Sequence, residues 1–193
     1  VLKWVEQICD VLSYLHMHQP SIIFRNLKPS NVMVSKGGHI YLIDFSIACI
    51  SGQFYESIVS GTLGFIAPEQ YERVQNTARS DIYSLGALIH CLLTGVDPRA
   101  HPFFFRPASE LNPVVPHDLE QLLEKMVSME VNKRPASIQE ITRALRHIEQ
   151  IHMGNTLEVI DAEDTEKAPR AQGSSLLQEA DVLYRQNRAQ DAV

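Results

Sequence analysis

Apolar positions Val1, Leu2, Val5, Ile8, Cys9, Leu12 and Leu15 recur at helical spacing, so the chain opens in an amphipathic helix over 1–18. Gln19-Pro20 ends it, because the residue before proline resists the helical region. Two β-rich runs follow, Val32-Met33-Val34 and Ile40-Tyr41-Leu42-Ile43. Ser35-Lys36-Gly37-Gly38 between them predicts a hairpin. Residues 46–79 are rich in Gly, Ser, Thr and Pro and keep no period, which predicts a long loop; such loops are usually functional. Asp81–Thr94 is apolar nearly all round, with Ser80 as cap and Gly95 as stop. That is the pattern of a buried central helix. A second Pro-rich irregular region spans 96–116. Two amphipathic helices close the series, over 118–129 and 137–151, the latter opened by a Ser137/Glu140 capping box.

Composition and charge narrow the class. The 193 residues carry 17 Lys+Arg and 23 Asp+Glu, a net charge of −6, with 45% hydrophobic residues. This is globular composition, and the charge argues against a general nucleic-acid binder. No apolar run approaches a membrane span. Cys9, Cys49 and Cys91 show no CxxC spacing, so neither a disulfide framework nor a zinc site is signalled, and a reducing cytoplasm is expected. The acidity is local. Residues 1–148 hold 13 basic and 14 acidic residues, whereas 149–170 hold 2 basic and 6 acidic. Residues 151–174 therefore read as an acidic polar linker, or alternatively as an acidic docking tail. Residues 175–193 read as a helical segment: the start of a tetratricopeptide-like pair, or a plain capping helix.

Chemistry concentrates between the first helix and the central one. Phe24-Arg25-Asn26-Leu27-Lys28-Pro29-Ser30-Asn31 precedes the hairpin, and Asp44-Phe45-Ser46 ends its second strand. In the same order come Gly61-Thr62-Leu63-Gly64-Phe65-Ile66-Ala67-Pro68-Glu69, then Ser80-Asp81-Ile82-Tyr83-Ser84-Leu85-Gly86, then Asn132-Lys133-Arg134-Pro135. These five resemble the catalytic loop, metal-binding D-F-G, activation-segment end, central helix and last turn of the protein kinases, with wording most similar to bacterial Ser/Thr kinases. The resemblance covers residues 1–150. It implies a mainly α fold: the helical C-lobe of a kinase with a small β-hairpin, part of an α+β domain in the intact parent.

The resemblance also implies roles. Asn31 and Asp44 would hold Mg²⁺, Lys28 would meet the transferred phosphoryl of ATP, and position 26 is that of the catalytic base. Arg25 would pair with a phosphate on Ser57 or Ser60, while Thr62 would pack against the catalytic loop. Glu69 and Arg134 would form a buried ion pair, and Asp81 would accept catalytic-loop N–H groups. The implied partner is a protein substrate, or a docking partner if the lobe is a scaffold. Three departures stand out: Asn26 replaces the catalytic aspartate, Ser46 the glycine of D-F-G, and Phe24 the usual histidine. An amide orients a hydroxyl but has no useful basicity. A weakened kinase and a pseudokinase are thus both open. The Gly-rich loop and strand lysine that hold ATP are expected upstream of Val1, which implies a fragment of a longer protein.

Overall fold

The structure is a computed structural model that describes residues 1–51, 62–72 and 75–160. The chain divides into two compact units, Val1–Met153 and Gly154–Val193. The core and the candidate site lie in the first, a mainly helical lobe with small antiparallel strand pairs. Helix α1 spans Leu2–Met17 and buries Val5, Ile8, Cys9, Leu12 and Leu15, the stripe expected from its spacing. Strands β2 (Val32–Val34) and β3 (Ile40–Leu42) form the expected hairpin, with Met33 opposite Tyr41. Gln7 on α1 pins it: its amide donates to the Gly38 carbonyl at 3.1 Å and accepts from Ile40 N–H at 3.0 Å.

The long loop expected over 46–79 is more structured than its composition suggests. Strand β4 (Cys49–Ile50) pairs antiparallel with β1 (Ile22–Ile23), Ile22 opposite Ile50 and Ile23 opposite Cys49. Two-residue strands are too short to leave a period, yet this pair closes a ring around residues 24–48. A short helix α2 (Pro68–Tyr71) also lies in that region.

The central helix α3 runs Ala78–Thr94, three residues earlier than expected. Thr77, not Ser80, caps it: Thr77 Oγ1 accepts from Arg79 N–H at 3.3 Å, and Ser80 Oγ accepts from Thr77 N–H at 3.2 Å. Gly95 ends it in the left-handed region at φ 70°. Every residue from Ser80 to His90 is buried, which explains the missing polar face. Helix α4 (Ala108–Leu111) interrupts the second irregular region. The next helix, α5 (His117–Met126), starts one residue earlier and ends three earlier than expected. The last, α6, extends from Ile138 to Ile160, beyond the expected end at 151. Its capping box is offset: Ser137 Oγ accepts from Glu140 N–H, but the Glu140 carboxylate reaches Ala136 N–H at 2.8 Å.

Helix α3 meets α5 across Gly86. A Cβ at this position would lie 2.7 Å from Met126 Cβ and 3.0 Å from a Val127 methyl. The absent side chain is what lets the two helices close, and Met126 is fully buried there. Gly86→Val is expected to lose about 1–3 kcal/mol by overpacking, read as a lower urea midpoint with unchanged slope.

Candidate active site

Asp81, in the first turn of α3, is fully buried. A carboxylate survives burial only when its oxygens are paired. Its Oδ1 accepts from Arg25 N–H at 2.7 Å, and its Oδ2 accepts from Phe24 N–H at 2.8 Å. The His16 ring nitrogen on α1 lies 2.8 Å from the same Oδ2. Arg25 sits at φ 64°, a costly conformation for a side chain with a Cβ. Both of its peptide groups are held, since Gln70 Nε2 donates to the Arg25 carbonyl at 3.1 Å.

From this anchor the loop turns through a 3₁₀ turn at Pro29–Asn31. Asn31 Nδ2 donates to the Asn26 carbonyl at 2.8 Å, and the Asn31 carbonyl accepts from Ile43 N–H at 3.0 Å. Asp44 is thereby carried beside Asn26. The Asn26 amide donates to Asp44 Oδ2 at 2.9 Å and to the Asp44 carbonyl at 3.3 Å. Only this amide orientation is compatible with a carboxylate, which has lone pairs alone to offer. Asp44 Oδ1 accepts from the Ser46 hydroxyl at 2.5 Å and from Ser46 N–H at 3.3 Å. The Ser46 donors, followed by Asn26 and Lys28, hold the Asp44 carboxyl below its ordinary range. Lys28 Nζ donates to Thr62 Oγ1 at 2.9 Å, joining the loop to the segment that leads to Glu69. Phe24 is fully buried and packs edge-on against Phe45 with ring centroids 4.9 Å apart.

Asn31 N–H donates to the Lys28 carbonyl at 3.0 Å, so Asn26, Lys28, Asn31, Asp44 and Thr62 occupy one hydrogen-bond network, to which Arg25 is joined along the chain. Ser57 and Ser60 lie outside the described residues. Arg25 is buried; one of its terminal nitrogens donates to the Ile47 carbonyl at 3.3 Å, and its Nε has no protein partner. For a divalent cation, the Asp44 carboxylate and the Asn31 amide oxygen are hard ligands of the right class. Asp44 Oδ1 already accepts two hydrogen bonds from Ser46, whereas Oδ2 accepts one and keeps a lone pair, so the residues fit such a cation. Among the described residues no cluster of three His, Cys, Asp or Glu offers an all-protein metal cage.

Glu69 and Arg134 form a separate anchor. The guanidinium grips both carboxylate oxygens, at 2.7 and 2.9 Å, and stacks 4.9 Å over the Tyr83 ring. Its remaining N–H groups donate to the Ser128 and Arg79 carbonyls, and Ser80 Oγ donates to Glu69 Oε1 at 2.8 Å.

The profile of the protein kinase domain matches residues 1–148. The chain belongs to the protein kinase family. It is 31% identical over 147 residues to the serine/threonine-protein kinase PknK of Mycobacterium bovis, covering 69% of this chain and 13% of that protein. To the probable serine/threonine-protein kinase PknB of Lactococcus lactis it is 32% identical over 152 residues, 71% of this chain and 24% of that protein. An Aurora kinase of Schizosaccharomyces pombe is 26% identical over 149 residues, 75% of this chain and 41% of that protein. The chain therefore spans well under half the length of these relatives.

Three residues that hold this candidate site together carry roles the sequence reading did not assign: His16, Gln70 and Gly64. His16 belongs to none of the motifs, and its spacing does not connect it to Asp81. Gln70 follows Glu69 with nothing in its spacing to connect it to Arg25. Gly64 sits at φ 100°, and a Cβ there would lie 2.6 Å from the Pro98 carbonyl group, so the segment after Thr62 docks backbone to backbone.

Arg134→Met is expected to cost about 3–5 kcal/mol by stranding the buried Glu69 charge, measured by urea denaturation. Burial alone would raise the Glu69 pKa, but Arg134 and Ser80 outweigh it and the carboxyl ends below its ordinary 4.5. A depressed folded pKa stabilises above the unfolded value and is lost as pH falls through the folded one. Stability should therefore drop on acidification below about 4.5, with a shallower drop in Glu69→Gln/Arg134→Met.

Proposed function

We propose that in the intact parent this lobe supports ATP- and Mg²⁺-dependent phosphoryl transfer to Ser or Thr hydroxyls of a protein substrate, at a rate reduced by Asn26. The observation carrying this reading is the single network joining Asn26, Lys28, Asn31, Asp44 and Thr62, with Asn31 N–H to the Lys28 carbonyl as its link. Phosphoryl transfer needs positioned phosphates and compensated charge more than covalent help. Asp44 and Asn31 would hold the cation, which when bound neutralises charge on the phosphates. Lys28 would meet the transferred group as a point charge. Asn26 would orient the acceptor hydroxyl without removing its proton.

Arg25 supports a regulatory layer in the same reading. Its buried guanidinium has an unpartnered Nε, which suits an anion. A phosphate on Ser57 or Ser60 is the proposed anion, ordering the segment between Asp44 and Thr62. The proposed compartment is the cytoplasm, in keeping with three free cysteines. No helix among the described residues is long and apolar enough to cross a membrane.

A second reading, a pseudokinase that serves as a binding or scaffolding module, is favoured by one observation: the Asn26 amide is already engaged with Asp44. Both readings are decided on the full-length parent by radiolabelled phosphate transfer to itself and to a basic protein. Asn26→Asp is expected to raise the rate by roughly 10²–10⁴. A wild-type rate of about 1–100 s⁻¹ would remove both the weakened-enzyme and the pseudokinase readings. No transfer and no nucleotide binding by either form would remove the enzyme reading.

A further inference from the structure

We propose that Asn26 and Ser46 form a latch on Asp44 that positions its carboxylate without a divalent cation, so that nucleotide binding to this lobe depends little on Mg²⁺. The proposal rests on the reading of the lobe as a nucleotide site. Taken separately, the two substitutions look like losses, one of a base and one of a flexible glycine. In the fold they act on the same carboxylate. Asn26 Nδ2 donates to Oδ2 at 2.9 Å, and the Ser46 hydroxyl donates to Oδ1 at 2.5 Å, so each oxygen has its own donor. The Ser46 amide adds a third bond at 3.3 Å, and the Asn26 amide also reaches the Asp44 carbonyl at 3.3 Å. Backbone and side chain of Asp44 are thus gripped together, at a residue held at φ 64°.

Charge makes the pairing selective. An aspartate at position 26 would set a second carboxylate within hydrogen-bonding distance of Asp44, and the repulsion of like charges at that separation is relieved by a cation between them or by a shared proton. An amide there removes that repulsion. Its N–H satisfies Oδ2 and presents a positive hydrogen where a cation would approach. The hydroxyl at position 46 does the same on Oδ1. Oδ1 accepts both Ser46 donors while Oδ2 keeps a spare lone pair, so a cation is not excluded, but it must compete with donors already in place. Asp44 and Ser46 are solvent-exposed, so the strength of the latch lies in two donors converging on one group rather than in either bond alone. Ser46 is accordingly a positioning residue for Asp44.

The test uses the full-length parent, with a fluorescent ATP analogue titrated in EDTA and in Mg²⁺, and thermal melting in EDTA and in Mn²⁺ without nucleotide. Wild type should bind the analogue with nearly equal affinity in both buffers. Asn26→Asp/Ser46→Gly should tighten about tenfold on adding Mg²⁺, the scale of one or two net hydrogen bonds exchanged for a metal contact. Ser46→Ala should move toward the double variant, and Ser46→Thr, which restores the hydroxyl, should return to wild type. In melting, Asn26→Asp should fall by a few degrees in EDTA and recover in Mn²⁺, whereas wild type should respond to neither. A wild type that needs Mg²⁺ as much as the double variant overturns the latch. If no form binds the analogue, the nucleotide-site reading fails, and the latch then stands or falls on melting: an Asn26→Asp protein that melts like wild type in EDTA overturns it.

Discussion

The Asp81 carboxylate is the interaction on which the site depends. It is fully buried, and a buried charge without partners costs several kcal/mol. The fold meets that cost with donors from two elements: the amides of Phe24 and Arg25, and the His16 ring on α1. Its place in the first turn of α3 also sets it at the favourable end of the helix dipole. Because the carboxylate cannot go unpaired, the loop carrying Asn26, Lys28 and Asn31 is held at one place against α1 and α3. The strained backbone of Arg25 is tolerated for the same reason.

Next to Asp81 in sequence, Ser80 donates to Glu69, which Arg134 grips from the other side. Two consecutive residues at one helix end therefore anchor two different segments, the loop over 24–31 and the end of the segment after Thr62. Gln70 links those segments directly through the Arg25 carbonyl. A helix used in this way must be immobile, and burial of every residue from Ser80 to His90, with Gly86 admitting α5, makes it so. Position 26 is buried beside this frame, and neither anchor runs through its side chain. A carboxylate-to-amide change there alters the chemistry without disturbing the anchors, and Asn26 Nδ2 turns to Asp44 instead.

Long periodic elements were legible in the chain itself. The α1 stripe, the buried central helix and the hairpin follow from apolar spacing and from glycines at a turn and a helix end. The loop around 46–79 was read too simply because β4 and α2 span two and four residues, below the length at which periodicity is visible. The start of α3 was misplaced for a related reason. Ser80 and Thr77 are both good capping residues, and only the backbone conformation reveals that Thr77 is the cap and Ser80 its third-position partner.

Sequence by itself determined the family, the order of the motifs and the three positions that depart from them, since these are matters of residue type at fixed spacing. Only the tertiary structure decided which groups the departing residues meet. That Ser46 and Asn26 meet on opposite oxygens of Asp44, that His16 reaches Asp81, and that Gly64 lies against Pro98 are contacts between residues 2 to 65 positions apart. Spacing along a chain carries no information about which distant groups share one hydrogen-bond acceptor. That is decided when burial forces each polar group to find its partner.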